Sequence, residues 1–111
     1  MAALVLLTML LALSSFLTES AAFNFQNGNN GQLMWALDCD YYGGDIGNQA
    51  VSGDQCGGLC IANSNCDHFT WANGVCYMKR VGNNPSPVYL GGAVCGYIVN
   101  RGKMLNFQSE S

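Results

Sequence analysis

The alternation of apolar and polar residues predicts a β-hairpin in the middle of the chain. Asp67 to Ala72 is rich in aromatic and β-branched residues, and Val75 to Arg80 is a second short run of the same kind. Asn73-Gly74, which separates them, is the strongest two-residue hairpin signal. Directly opposed residues then share a face. The apolar face would contain Phe69, Trp71, Cys76 and Met78, and the more polar face His68, Thr70, Tyr77 and Lys79.

A short helix is predicted before the hairpin, from about Gly53 to Asn63. Ser52-Gly53-Asp54-Gln55 matches a capping box, and the helix macrodipole favours the Asp54 carboxylate in the first turn. Cys56 and Cys60 fall on one face of this helix, with β-carbons ~5–6 Å apart, which is too far for a disulfide between them. Each helix cysteine therefore needs a partner elsewhere. Gly57-Gly58 weakens the helix by about 1 kcal/mol per residue relative to alanine.

The flanking segments carry weaker patterns. Leu33 to Leu37 is a predicted first strand and Cys95 to Asn100 a predicted last strand, which places the domain at residues 33–100. Val81 to Gly92 contains two prolines and a Gly-Gly pair, which is typical of a loop. Phe23 to Gln32 is rich in Asn, Gln and Gly and predicts a flexible lead-in, and Arg101 to Ser111 predicts a C-terminal tail.

The N-terminal 22 residues are typical of a secretory signal peptide. Ala2 to Leu13 is an almost unbroken apolar run, and Ser20 and Ala22 can occupy the small-residue positions of a cleavage site. The run is shorter than the ~20 residues that a membrane-spanning helix needs. We therefore expect cleavage after Ala22 and an extracellular, secreted protein, although the segment lacks the usual Lys or Arg before its apolar core.

Composition and charge exclude several function classes. The chain of 111 residues has a formal net charge of −3, with four basic residues that form no stripe. Nucleic-acid binding depends on neutralising phosphates, and attachment to an anionic membrane depends on a polybasic segment, so neither partner is expected. The chain is also short enough that one small domain is the upper limit.

Six cysteines, all after the predicted signal peptide, indicate a disulfide framework rather than a metal site. An even cysteine count in a short secreted chain favours disulfides, although count alone leaves the connectivity open. The alternative, a zinc site, lacks a C-x-x-C pair and has His68 as its single histidine. No cofactor or metal is expected.

Several segments together resemble the PAN/apple domain family. Cys56-x-x-x-Cys60 matches the family's helix, Cys66-x-x-Phe69-x-Trp71 its segment before a hairpin, and Cys76-Tyr77-Met78-Lys79 the segment after it. An acidic-aromatic-glycine run from Asp38 to Ile46 and a late Cys95-Gly96 complete the pattern, which covers about Leu33 to Val99. Peritrophin-type chitin-binding domains and knottins, two other six-cysteine patterns, fit the spacing less well.

The resemblance implies a fold, a disulfide pairing and a class of function. The implied fold is a small disulfide-rich α+β domain with one short helix packed on an antiparallel sheet. The implied pairs are Cys39–Cys95, Cys56–Cys76 and Cys60–Cys66. Domains of this family are adhesive modules that bind proteins or carbohydrates. The Gly57-Gly58 pair, where the family usually has bulkier helix formers, departs from the pattern.

The residues do not predict an enzyme. Nucleophile–base pairs usually need a histidine, and His68 is expected to be a surface residue of a strand. Asp38 and Asp40 could share a face of a strand, but no apolar pocket is implied that would raise the pKa of either carboxyl group. Solvation and loop hydrogen bonding are the simpler interpretation of both.

Binding residues are therefore sought among aromatics with polar neighbours. Tyrosine offers a large contact area and a hydrogen-bonding end. Tyr41, Tyr42, His68 and Tyr77 are the candidate ligand contacts, with Tyr89 and Tyr97 as further aromatic candidates, whereas Trp71 is expected in the core. Two alternative functions stay open: a structural matrix or coat component, and a protease inhibitor or toxin-like effector that uses the Val81–Gly92 loop.

Overall fold

A computed structural model describes residues 23–83 and 85–101 of the protein. The expected signal peptide and all of the expected tail beyond Arg101 lie outside the described residues. Within them, one helix and six strands follow one another along the chain. They are β1 Gln26–Gly28, β2 Leu33–Asp40, β3 Asp45–Ala50, α1 Gly53–Ala62, β4 His68–Ala72, β5 Val75–Lys79 and β6 Val88–Ile98.

The six strands form one antiparallel sheet in the order β1-β2-β6-β4-β5-β3. The predicted hairpin is confirmed, with Trp71 opposite Cys76 and Thr70 opposite Tyr77. The hairpin occupies the middle of the sheet because β6 pairs with β4 and β3 pairs with β5. Together with α1 on one face and three disulfides, this makes a small disulfide-rich α+β domain.

Helix α1 begins where the capping box predicts, and its C-terminal end is bound by Arg101, a contact that the sequence did not predict. The Gln55 side chain accepts a hydrogen bond from the backbone N–H of Ser52 at 3.2 Å. At the other end, Arg101 donates to the backbone oxygens of Cys60, Ile61, Asn63 and Cys66 at 2.6–3.2 Å. Carbonyls at a helix C-terminus lack partners within the helix and attract a cation. Arg101, expected in the tail, is thus part of the packed domain.

The helix side of the sheet holds the main apolar core. The predicted apolar face of the hairpin is confirmed: Phe69 and Cys76 are buried against α1, with Trp71 and Met78 packed beside them. Two disulfides, Cys56–Cys76 and Cys60–Cys66, attach α1 to the hairpin and to the chain that enters it. These are the pairings that the family resemblance implies.

A second, smaller cluster lies away from the helix. The third disulfide, Cys39–Cys95, joins β2 to β6 and packs with Ala36 and Tyr41. Phe23, Phe25 and Tyr97 lie against this cluster and are partly buried. Disulfides therefore lie on both faces of the sheet.

Several expectations about the flanking segments were wrong. Part of the expected flexible lead-in is strand β1, paired with β2. The polar segment Asp45–Ala50, for which the sequence predicted no element, is edge strand β3. The expected loop of residues 81–92 ends early because β6 starts at Val88 and pairs with the end of β2. A bulge at Asp38 (φ 59°), whose Oδ1 accepts the N–H of Gly92 at 2.9 Å, lets this pairing continue.

The polar face of the hairpin is covered, contrary to the expectation that His68 would be a surface residue. His68, Thr70 and Lys79 are all buried. The chain that leaves β2 crosses over them: the backbone N–H of Tyr41 donates to Thr70 Oγ1 at 3.1 Å, and Lys79 Nζ donates to the backbone oxygen of Gly43 at 3.2 Å. Lys79 also pairs with the Asp45 carboxylate. Directional bonds to the crossing segment therefore cover these residues, beside the smaller apolar cluster on the same face.

Candidate binding cleft

Three aromatic rings meet on the face of the sheet opposite α1. Strand β4 supplies His68, and its register partner on β6 is Tyr97. Tyr41 lies over both because its backbone is fixed to Thr70. The ring centroids of Tyr41 and His68 are 4.5 Å apart in an edge-on arrangement, and those of His68 and Tyr97 are 5.9 Å apart.

One buried carboxylate organises the ring of His68 and the loop beside it. Asp67 Oδ1 lies 2.8 Å from His68 Nδ1 and accepts the backbone N–H of Val81 at 2.9 Å. Asp67 Oδ2 accepts the N–H of Gly82 at 3.0 Å. Asp67 therefore fixes both the imidazole and the start of the loop that follows β5.

These groups line a cleft of about 520 Å³, within the usual range for small-molecule sites. Its walls combine rings, side-chain amides, apolar side chains and exposed backbone, and among the described lining residues His68 alone has a side chain that titrates near neutral pH. The lining residues are Asn27, Gly31, Met34, Tyr41, His68, Gly82, Asn83, Pro85, Tyr97, Ile98, Val99 and Asn100.

Burial determines the protonation of the two innermost groups. The pKa of His68 is lowered from its ordinary value because burial disfavours the imidazolium, an effect that exceeds the opposing influence of Asp67. Burial, together with the neighbouring Tyr97, raises the pKa of Tyr41 to about 12. At neutral pH the cleft therefore presents an uncharged imidazole and a protonated phenol.

The four candidate contacts do not form one site. Tyr41 and His68 line the cleft, and Tyr41 is only 3% exposed. Tyr42, 88% exposed, and Tyr77 line a separate, shallower groove of about 230 Å³ with Leu90. The chain direction separates them, because Tyr41 turns inward over the sheet whereas Tyr42 turns outward.

Sequence reasoning missed part of the cleft. Asp67 was placed in the first strand of the hairpin with no role, and Asn27 and Asn100 were placed in a flexible lead-in and at the end of a strand. No local signal existed for the backbone bonds of Asp67, because Val81 and Gly82 follow it by 14 and 15 residues. No local signal exists for the amides, since β1, β6 and the crossing segment come together only through long-range pairing.

A second set of exposed apolar side chains lies elsewhere. Strand β4 pairs with β6 between Val94 and Tyr97, so the first part of β6 projects beyond β4 as a two-stranded ribbon with β2. Its exposed apolar side chains, which we call the ribbon patch, are Leu37, Val88, Tyr89 and Leu90.

All six cysteines are disulfide-bonded and hold no thiolate for a metal. Across residues 23–83 and 85–101, no group of three or more His, Cys, Asp or Glu side chains could hold a metal ion. The one helix in this part of the chain is too short and insufficiently apolar to cross a bilayer. Comparison with family models and with curated proteins finds no match to this chain.

Proposed function

We propose that this protein is a secreted, non-catalytic recognition module of the PAN/apple type that binds carbohydrate in the cleft formed by Tyr41, His68 and Tyr97. The cleft is the observation that supports this most directly. Sugar rings present C–H faces, which suit aromatic and apolar walls, and hydroxyl edges, which suit amides and phenols. The three rings and the neighbouring Asn27 and Asn100 supply both.

The shape of the cleft favours carbohydrate over a protein partner. Stable protein–protein interfaces bury about 800 Å² on each partner, usually over broad surfaces. A concave site of about 520 Å³ suits a ligand of one or two sugar rings instead. The spacing of the cysteine segments and the nested disulfides support the PAN/apple proposal.

A glycan array probed with the oxidised protein tests this function. We expect binding to a restricted set of glycans, and weaker binding by a Tyr97→Ala variant. Tyr89→Ala is the matched control, because Tyr89 belongs to the same strand but is 74% exposed and lies outside the cleft. Absence of glycan binding, or equal losses in the two variants, would contradict the proposal.

The ribbon patch supports a second candidate, a matrix or coat component that self-associates. Exposed apolar side chains concentrated on one part of a sheet can mark an interaction surface. Sedimentation velocity over a range of concentrations would show dimers or larger species that a Leu37→Ser/Leu90→Ser variant lacks. A concentration-independent monomer would remove this alternative.

A further inference from the structure

The hydrogen bonds around His68 determine which nitrogen of the ring carries the proton. An ionised carboxylate only accepts hydrogen bonds, and Asp67 already accepts two backbone N–H groups, from Val81 and Gly82. The contact of 2.8 Å between Asp67 Oδ1 and His68 Nδ1 therefore needs the proton on Nδ1. In a neutral imidazole this leaves Nε2 as a hydrogen-bond acceptor.

Two polar atoms of the cleft lack a protein partner. Within residues 23–83 and 85–101, no hydrogen bond reaches His68 Nε2 or the Tyr41 hydroxyl, and no buried polar side-chain atom there is left fully enclosed without a partner. Both residues line the cleft, so these atoms open onto it. Buried tyrosine hydroxyls usually have a hydrogen-bond partner, which a bound ligand would supply here.

Resting on the carbohydrate site proposed above, we propose that the cleft recognises two neighbouring hydroxyl groups of an uncharged sugar. One hydroxyl donates to His68 Nε2, and the other accepts a hydrogen bond from the Tyr41 hydroxyl. The ring centroids of the two residues are 4.5 Å apart, so the acceptor and the donor belong to neighbouring rings of the same cleft. Adjacent sugar hydroxyls present the complementary pair.

The charges around the cleft favour an uncharged ligand. Within residues 23–83 and 85–101, no Lys, Arg, Asp or Glu lines it. The groups that face His68 are the Asp67 carboxylate, the Tyr41 and Tyr97 rings, and Lys79 at the paired position on β5. Lys79 is neutralised by Asp45, and Asp67 is held by His68 and two backbone groups. Among the residues that the structure describes, a carboxylated or sulfated sugar would find no free cation at the cleft.

Acidification then weakens binding. Once Nε2 is protonated it donates instead of accepting, and the ligand hydroxyl loses its acceptor. We expect affinity to fall once the pH drops below the lowered pKa of His68, since a buried polar group is then left without its bond. His68→Gln keeps an acceptor that does not titrate, so its affinity should not change over the same drop in pH.

The first measurement needs no ligand. His68 is the only histidine in the chain, so its ring ¹⁵N resonances are unambiguous in NMR spectra. We expect the Nδ1–H tautomer at pH 7.5. The Nε2–H tautomer, or an imidazolium at that pH, would overturn the inference.

The second measurement uses titration calorimetry with methyl hexosides, their monodeoxy analogues and two charged sugars, glucuronic acid and sialic acid. We expect an uncharged hexoside to bind and to lose about tenfold in affinity when either of two adjacent hydroxyls is removed. Tyr41→Phe, which removes one oxygen and keeps the ring, should weaken binding by a similar factor above and below the pKa of His68.

The outcomes separate the two proposals. A sugar that binds with the same affinity above and below the pKa of His68, and equally to Tyr41→Phe, would overturn the hydroxyl-pair inference and leave the carbohydrate site standing. Preference for the charged sugars would do the same. Failure of every sugar to bind the folded, oxidised protein would overturn both proposals.

Discussion

The two faces of the central hairpin are closed by different kinds of interaction. On the helix face, Phe69 and Cys76 are buried among apolar side chains, and two disulfides attach α1. On the cleft face, one residue away along the same strands, Thr70 and Lys79 hydrogen-bond the backbone of the segment that covers them. His68 lies against the Tyr41 ring and bonds the Asp67 side chain. Alternation along β4 and β5 thus separates an apolar interior that holds two disulfides from a more polar one beside the third.

The difference shows why the candidate site is on one face only. Apolar contacts are non-directional and fill the space between α1 and the sheet, as protein interiors generally do. Hydrogen bonds are directional, so covering the polar face left some donors and acceptors turned toward the cleft rather than toward the protein. The cleft therefore follows from how that face is covered.

Neighbouring substitutions on the two faces should have the largest and most distinct effects. Phe69→Ala should lower the free energy of unfolding by about 3–5 kcal/mol, because it leaves a cavity under α1. Thr70→Val should cost about 1–3 kcal/mol, because the buried N–H of Tyr41 loses its acceptor. Urea unfolding of the oxidised variants measures both.

Ligand binding should further distinguish Phe69→Ala from Thr70→Val. Thr70→Val should weaken sugar binding because it releases Tyr41, whereas folded Phe69→Ala should bind normally. Equal binding by both variants, or a larger stability loss in Thr70→Val, would show that the two faces are not organised differently.

Arg101 tests whether the helix face depends on a polar contact as well. Its guanidinium reaches four carbonyl oxygens at and beyond the end of α1. Arg101→Ala should lower the free energy of unfolding by about 1.5–3 kcal/mol, which is the usual contribution of hydrogen bonds to a charged group. Arg101→Lys should restore only part of this loss. Arg80 is exposed, so Arg80→Ala is the control. Equal shifts of the melting temperature in Arg101→Ala and Arg80→Ala would contradict a stabilising role of Arg101 at the end of α1.

Alanine substitutions at two adjacent glycines of α1 should change the free energy of unfolding in opposite directions. A β-carbon on Gly58 would meet nothing closer than 3.8 Å, so Gly58→Ala should gain about 1 kcal/mol from helix propensity. On Gly57 it would lie 2.5 Å from Leu33 Cδ2, and overpacking of this kind costs about 1–3 kcal/mol. Gly57→Ala should therefore unfold at a lower denaturant concentration than Gly58→Ala, and the reverse order would show that α1 is not packed tightly on Leu33.

The smallest expected effect is the contribution of His68, on the cleft face, to the change of protein stability with pH. The pKa of His68 is lower in the folded protein than its ordinary value of 6.5. Below pH 6.5 the unfolded chain binds a proton that the folded protein does not, so this contribution to stability is present above pH 6.5 and lost as the pH falls toward the folded pKa. Thermal unfolding between pH 7.5 and pH 5 should show a smaller loss in His68→Gln than in the wild type. An equal loss would contradict the burial argument.

The local elements followed from the sequence because short-range rules determine them. Asn73-Gly74 sets the hairpin register, and with it the separation of Phe69 and Cys76 from Thr70 and Tyr77. The capping box sets the start of α1 at Gly53. The disulfide pairs implied by the family resemblance are those of the structure, although geometry alone showed only that Cys56 and Cys60 need separate partners.

Only the tertiary structure decided what lies on the polar face. Tyr41, His68 and Tyr97 are far apart in the chain, and they meet because β6 inserts between β2 and β4 while the chain after β2 crosses the hairpin. The polar strand β3 forms because β5 offers it an edge, not because its residues alternate. Periodicity tells which side chains share a face, but the cover of that face depends on long-range pairing and individual hydrogen bonds, which no local pattern encodes.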